Sequence, residues 1–168
     1  MTHVKFCRTI DSPIGPLLLA GRDGALTNLA MDGQTHPPAG ADDWLVDNRA
    51  FADVVEQLRA YFARRLSSFE VALDAEGTDF QRQVWDALLA IPFGQTRSYG
   101  EIARAVGRPN ASRAVGMANG RNPIAILVPC HRVIGADGRL TGFGGGLHRK
   151  QALLDLEQAA LREAAEER

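Results

Sequence analysis

The sequence predicts an α+β fold: a small N-terminal lobe with a three-stranded antiparallel sheet and a helix, then a mostly helical C-terminal domain containing a helix-turn-helix. Three observations predict it. Short apolar runs broken by Pro/Gly turns fill the first ~35 residues. Apolar residues then recur at helical spacing through most of the chain. Two short helical segments joined by "GRPN" lie in its most basic stretch. With 168 residues, 45% of them hydrophobic, the chain can bury a real core.

The strands come first. "VKFCRTI", "PLLLA" and "ALTNLAM" are separated by turns at "DSPIGP" and "GRDG", and a polar loop, "DGQTHPPAGADD", follows. Phe51, Val54, Val55, Leu58, Phe62 and Leu66 then mark one face of a helix. "FEVALD" could add a strand, which closes an N-terminal lobe over residues 1–76. The second domain, residues 77–168, opens on the capping box "TDFQ". Its first helix carries Phe80, Val84, Trp85 and Leu88 and stops at Pro92. Ser98 and Glu101 form a second capping box, Gly107 suits a C-terminal stop, and Asn110 can cap the helix "ASRAVGMANG". "RNPIAILVPCHRVIG" reads as turn, buried strand and reactive loop. "TGFGGGLHRK" is a glycine-rich loop feeding a last helix whose charged end is expected to fray.

Net charge is −1, but residues 96–150 hold nine Arg/Lys (Arg97, Arg104, Arg108, Arg113, Arg121, Arg132, Arg139, Arg149 and Lys150) against only Glu101 and Asp137. That asymmetry reads as a local polyanion-binding face. The second helix of the pair is small-faced, with Ala111, Ser112, Ala114, Gly116 and Ala118. Small residues let a backbone approach a bulky partner, although helical hairpins also occur in cores. No apolar stretch could span a bilayer and the polar start is no secretory signal, so a cytoplasmic protein is expected, nucleoid-associated in a prokaryote. Cys7 and Cys130 are then expected to be free thiols, and no ligand spacing suggests a metal.

Cys130 stands between a proline and a histidine. A free cysteine is commonly a small buried hydrophobe. Beside a base it can also be an activated nucleophile. The glycine cluster is likewise open to three readings: a flexible turn, a phosphate cradle, or backbone lying against a flat ligand. It lacks the P-loop and dinucleotide fingerprints.

"IPFGQTRSYGEIA", "SRAVG", "NPIAILVPCHRVIG" and "GFGGGLHRKQALLDLE", together with "DSPIGPLLLAG" in the first lobe, resemble the alkylguanine-DNA alkyltransferases over essentially the whole chain. The resemblance implies direct-reversal repair: one irreversible transfer of an alkyl group from O6 of guanine, with O4 of thymine as a second candidate substrate, to Cys130. It implies that His131 deprotonates Cys130 through a bound water and that Glu157 orients this histidine. Asn122 fixes the turn before the site, and Tyr99 hydrogen-bonds guanine N3. Arg113 fills the gap left by a flipped nucleotide, on a helix where Ala111, Ser112, Ala114 and Gly116 meet DNA. Val133 and Gly144 offer backbone to the base and Phe143, a tyrosine in several relatives, serves as a packing wall. The thiol pKa, ordinarily about 8.5, is expected to be lowered. If residues 130 and 131 lie on a strand they face opposite ways, which suits a water bridge.

The resemblance also implies the partner, double-stranded DNA containing alkylated guanine, approached from the minor groove with the base flipped out. No cofactor, no membrane and no obligate protein partner are expected. The protein is read as a monomer that could assemble cooperatively on DNA. Some relatives hold zinc in the first lobe; here the matching positions include His3 and Arg22, and arginine is no ligand. Two rivals stay open: a non-enzymatic lesion-binding relative that recruits other repair factors, against which Cys130 argues, and a cysteine hydrolase, which would turn over repeatedly.

Overall fold

The computed structural model describes residues 4–167. β1 (Phe6–Ile10), β2 (Leu17–Arg22) and β3 (Ala25–Met31) form the expected antiparallel meander. The sheet, however, has four strands, not three. Residues 32–44 carry the chain back so that β4 (Leu45–Val46) pairs parallel to β1, giving the order β3-β2-β1-β4. Both β4 side chains are exposed, so no alternation marks this strand in the sequence. "FEVALD" contributes only an isolated bridge from Leu73 to Leu26. Between β2 and β3 the register slips at Ala20/Gly21, where a Cβ on Gly21 would sit 2.1 Å from the Ala25 carbonyl. Only glycine fits that bulge.

α1 (Ala52–Phe62) buries Val54, Val55, Leu58 and Tyr61 against the sheet core. It ends four residues before Leu66, because the chain turns at Arg64, where φ is +63°. The α2 helix (Asp79–Leu89) starts in the predicted capping box: Thr78 and Gln81 satisfy each other's backbone N–H groups. Its buried face, Val84, Trp85 and Leu88, packs on the hairpin of α3 (Tyr99–Ala105) and α4 (Ser112–Gly120). Trp85 Nε1 donates to the Ala118 carbonyl at 2.9 Å and so fastens α2 to α4. The Ser98–Glu101 capping box forms, and Gly107 takes the left-handed conformation past the end of α3. Asn110 does not cap α4. Ala111 occupies that position, with no side-chain bond to the first turn.

The expected buried strand before Cys130 is absent. Residues 124–128 are buried but turn sharply, with only Ile124 bridging to Leu29 of β3. Cys130–Arg132 form a 3-10 turn that leads into β6 (Val133–Ile134), which pairs parallel to β5 (Arg97–Ser98). α5 (Leu147–Glu166) starts directly after the glycines. Its charged end is helical rather than frayed, and Glu163 pairs with Arg64 at 2.8 Å. Buried residues from both lobes form one core. Among the described residues no helix is long and apolar enough to cross a membrane.

Thr78→Ala removes one half of the α2 capping box. It should lower unfolding free energy by about 1 kcal/mol, read as a shifted urea midpoint with unchanged slope.

Candidate active site

The segment before Cys130 forms no strand and meets the sheet only at the Ile124–Leu29 bridge, so side chains brace the rest of it. Asn122 bridges the turn: its Oδ1 accepts from the Ile124 N–H at 3.0 Å and its Nδ2 donates to the Val128 carbonyl at 2.8 Å. Ile126 sits at φ +73° with a Leu127 N–H to Ala125 carbonyl bond of 2.9 Å across it, a γ-turn that is strained for a β-branched residue. Asn119 Nδ2 donates to the Cys130 carbonyl at 3.3 Å. Cys130 is buried, and neither it nor Cys7 is in a disulfide.

The turn, not strand alternation, sets the relation of Cys130 to His131. His131 is fully buried, with Nε2 2.6 Å from Glu157 Oε2. Its Nδ1 is also buried and has no hydrogen-bond partner among the described residues. A carboxylate on Nε2 places the ring proton there, leaving a lone pair on Nδ1. Burial lowers the histidine pKa against the opposing pull of Glu157, so the resting ring is neutral. Burial pushes the Cys130 thiol up, while Asn122 and the Lys150 charge pull the other way. The lowered thiol expected from sequence is therefore not the resting state. The thiol stays protonated until a base takes its proton.

Glu157 collects five donors. Oε1 accepts from Arg132 Nε at 2.8 Å and from the Gly94 N–H at 3.1 Å. Oε2 accepts from His131, from the Tyr61 hydroxyl at 2.7 Å and from Arg132 Nη2 at 3.1 Å. Burial opposes ionisation, yet His131 and Arg132 outweigh it and hold the Glu157 pKa down to about 2. Sequence reasoning missed Arg132 and Tyr61 in this network. Arg132 stands in the quoted "PCHR", and Tyr61 lies one position from the predicted helix face. It missed Lys150 as well, counted there as surface charge. Lys150 is fully buried, with Nζ donating to Val133 O at 2.5 Å and Thr141 O at 2.9 Å, and burial lowers its pKa to about 8.

Tyr99 reaches the same loop: its hydroxyl donates to Thr141 O at 2.9 Å and accepts from Thr141 Oγ1 at 3.3 Å. Val133 is buried beside Cys130, while Phe143 and Gly144 are half-buried in the glycine loop. Gly116 of α4 lies behind Tyr99, where a Cβ would be 3.8 Å from the ring. Ala111 and Ser112 are half-buried, Arg113 and Ala114 are exposed, and Ala118 is buried in the core. Arg113 is thus outside the cluster that holds Cys130, His131, Asn122 and Glu157. Of the nine basic residues, Arg132 and Lys150 are buried and Arg149 is tied to carbonyls. Arg97, Arg104, Arg108, Arg113, Arg121 and Arg139 carry what surface charge remains.

His3 lies outside the described residues, so the metal expectation touches the structure only at its other positions. Arg22 pairs with Glu76 at 2.6 Å. Among the described residues no three His, Cys, Asp or Glu side chains group to hold a metal.

Residues 5–75 match the 6-O-methylguanine DNA methyltransferase ribonuclease-like domain, and residues 79–159 match the DNA-binding domain of the same family. The chain is similar to the methylated-DNA–protein-cysteine methyltransferase of Mycobacterium tuberculosis, 63% identical over 152 residues that cover 90% of this chain and 92% of that one. It is 53% identical to the protein of the same name from Methanosarcina barkeri, over 91% of this chain and 97% of the other. A crystal structure of M. tuberculosis OGT in complex with DNA superposes with a TM-score of 0.87 at 61% identity, covering 92% of this chain and 94% of that chain.

The depressed Glu157 pKa fixes an acid limb of stability. Because the folded value lies below the ordinary 4.5, the contribution is complete above about pH 4.5 and is lost as pH falls toward about 2. Urea titrations should show a loss of roughly 3 kcal/mol across that window. Glu157→Gln should cost about 3–5 kcal/mol at neutral pH, because Arg132 is left buried without a counter-charge, and should abolish most of the acid limb. An unchanged limb in that variant would assign it to other carboxylates.

Proposed function

This chain belongs to the 6-O-methylguanine DNA methyltransferase family, and on that premise we propose that Cys130 is the acceptor in direct-reversal repair of alkylated guanine in double-stranded DNA. One observation carries the assignment: a buried thiol follows a side-chain-braced turn and precedes a buried histidine whose Nε2 is held by a carboxylate and whose Nδ1 is unpartnered. In transfer, Nδ1 of His131 takes the thiol proton through a water, and Glu157 stabilises the imidazolium that forms. Sγ then attacks the alkyl carbon, the S–C bond forms, and the C–O6 bond breaks with its electron pair leaving on guanine. Tyr99 turns its hydroxyl from Thr141 to guanine N3, where negative charge develops. Thr141 O keeps Lys150 as a donor when it does so.

The raised resting pKa of Cys130 has a use in this scheme. A protonated buried thiol is protected from adventitious oxidation and alkylation. Asn122 and Lys150 favour the thiolate once the proton has gone. The product is a thioether, which the site has no means to cleave. All these residues come from one chain, so a monomer suffices. Val133, Phe143 and Gly144 line the place for the base beside Cys130. The small-faced α4 lies in the minor groove with Arg113 as the wedge, and its neighbours Ala114 and Met117 are also exposed. Affinity then comes mainly from phosphates and falls steeply with salt.

Incubation with duplex DNA containing O6-methylguanine should add one methyl group per protein, located at Cys130 by mass spectrometry. Product beyond one equivalent would refute a suicide mechanism. Cys130→Ser should bind the same DNA nearly as well and transfer nothing.

Arg113→Ala should separate flipping from chemistry. It removes compensation for an extrusion cost of a few kcal/mol, so duplex repair should slow by roughly ten- to a thousandfold. Reaction with the free base, which needs no extrusion, should change little. Equal losses on both substrates would place Arg113 in the pocket or the fold instead.

A further inference from the structure

The glycine loop, residues 142–146, has little of its own to hold it in place. Four of its five residues are glycine, and Gly142 and Gly146 have φ of +49° and +93°. Such a segment loses more conformational entropy on ordering than any other composition. The proposed base wall, Phe143 and Gly144, lies in its middle. The contacts that order it from behind come from the N-terminal lobe. The Thr35 N–H donates to Gly144 O at 2.8 Å. Gly145 lies so close to the end of β3 that a Cβ there would sit 2.4 Å from Met31 Sδ. Arg149, half-buried in the first turn of α5, joins three stretches of chain. Its Nη1 donates to Gly145 O at 3.2 Å and to Asp32 O at 2.6 Å, and its Nε donates to Ile14 O at 3.0 Å.

We propose that Arg149 is a positioning residue for the transfer reaction: it latches the base-pocket loop to the β1–β2 and post-β3 turns of the N-terminal lobe. The proposal rests on the alkylguanine reading above. The planar guanidinium offers donors at fixed angles, so one side chain can serve carbonyls from three directions. Among the described residues three carbonyls and no carboxylate receive it, so its work is geometric rather than charge-pairing. Without the latch the loop samples open states, and apparent base affinity falls by the fraction of time it is closed. The N-terminal lobe, which supplies none of the reacting groups, thereby shapes the pocket.

The test uses full-length protein carrying Arg149→Ala or Arg149→Lys. In Arg149→Ala without substrate, amide hydrogen exchange should quicken at residues 142–146 and stay unchanged at Cys130–Arg132. With O6-methylguanine free base, the half-saturating concentration should rise about tenfold. The limiting rate and its pH profile should match wild type, because the Cys130–His131–Glu157 chemistry is untouched. Arg149→Lys should recover only part of the affinity, since a single ammonium cannot reproduce the fork. Wild-type exchange and wild-type half-saturation in Arg149→Ala would overturn the proposal. So would faster exchange throughout the core with a matching loss of limiting rate, which would make Arg149 a general support of the fold. A wild-type protein inert toward methylated guanine, with the loop still loosened in the variant, would instead sink the alkylguanine reading.

Discussion

A single buried carboxylate organises this molecule. Glu157 has no solvent and five donors, drawn from α1 (Tyr61), the turn after α2 (Gly94) and the Cys130 segment (His131, Arg132). A buried ion pair gives back little net stability once desolvation is counted, and a hydrophobic replacement is often as stable. The network is therefore explained better by what it specifies. It sets the tautomer of His131, leaves Nδ1 as the one open position, and fixes α5 against both lobes. Arg132 keeps the carboxylate ionised, and the ionised carboxylate keeps His131 oriented.

The same economy appears around the nucleophile. Cys130 follows a run of turns that no ladder of backbone bonds could hold, and Asn122, Asn119 and the bridge from Ile124 to Leu29 take that task. The strained φ of Ile126 persists because its surroundings over-determine it, the usual condition for backbone strain near a functional centre. Lys150 is buried for a comparable reason. Its ammonium ties β6 to Thr141 and lends positive charge toward the thiol, at the cost of a pKa lowered to about 8. Burial keeps the thiol protonated at rest, while Asn122 and Lys150 favour the thiolate once the proton has gone.

The surfaces proposed for recognition and for chemistry are adjoining but distinct. α4 exposes Arg113, Ala114 and Met117 on its outer side while Val115, Ala118 and Asn119 fix its inner side to the core and to the Cys130 carbonyl. Gly116 brings that helix against Tyr99, so the two surfaces meet at one residue of each. The basic bias of the central sequence overstated the exposed positive charge, because Arg132, Arg149 and Lys150 serve as internal cross-links.

The sequence by itself determined the elements whose signals are local. Capping boxes at Thr78 and Ser98 mark helix starts through bonds made within four residues, and the helical stripe of α2 names its own buried face. The motif around Cys130, with Asn122 before it and the glycines after it, carried the family resemblance from which the proposed chemistry follows. Only tertiary structure decided the rest. β4 has two exposed residues and exists because β1 offers an unpaired edge. The turn at Cys130 replaces a strand because Asn122 and the N-terminal lobe supply its partners from outside the segment. Whether Arg132, Arg149 and Lys150 face solvent or bind internally cannot be read from a cation's position in a chain. Burial of a charge depends on acceptors that folding brings from far along the sequence: Glu157 for Arg132, Ile14 and Asp32 for Arg149, Val133 for Lys150.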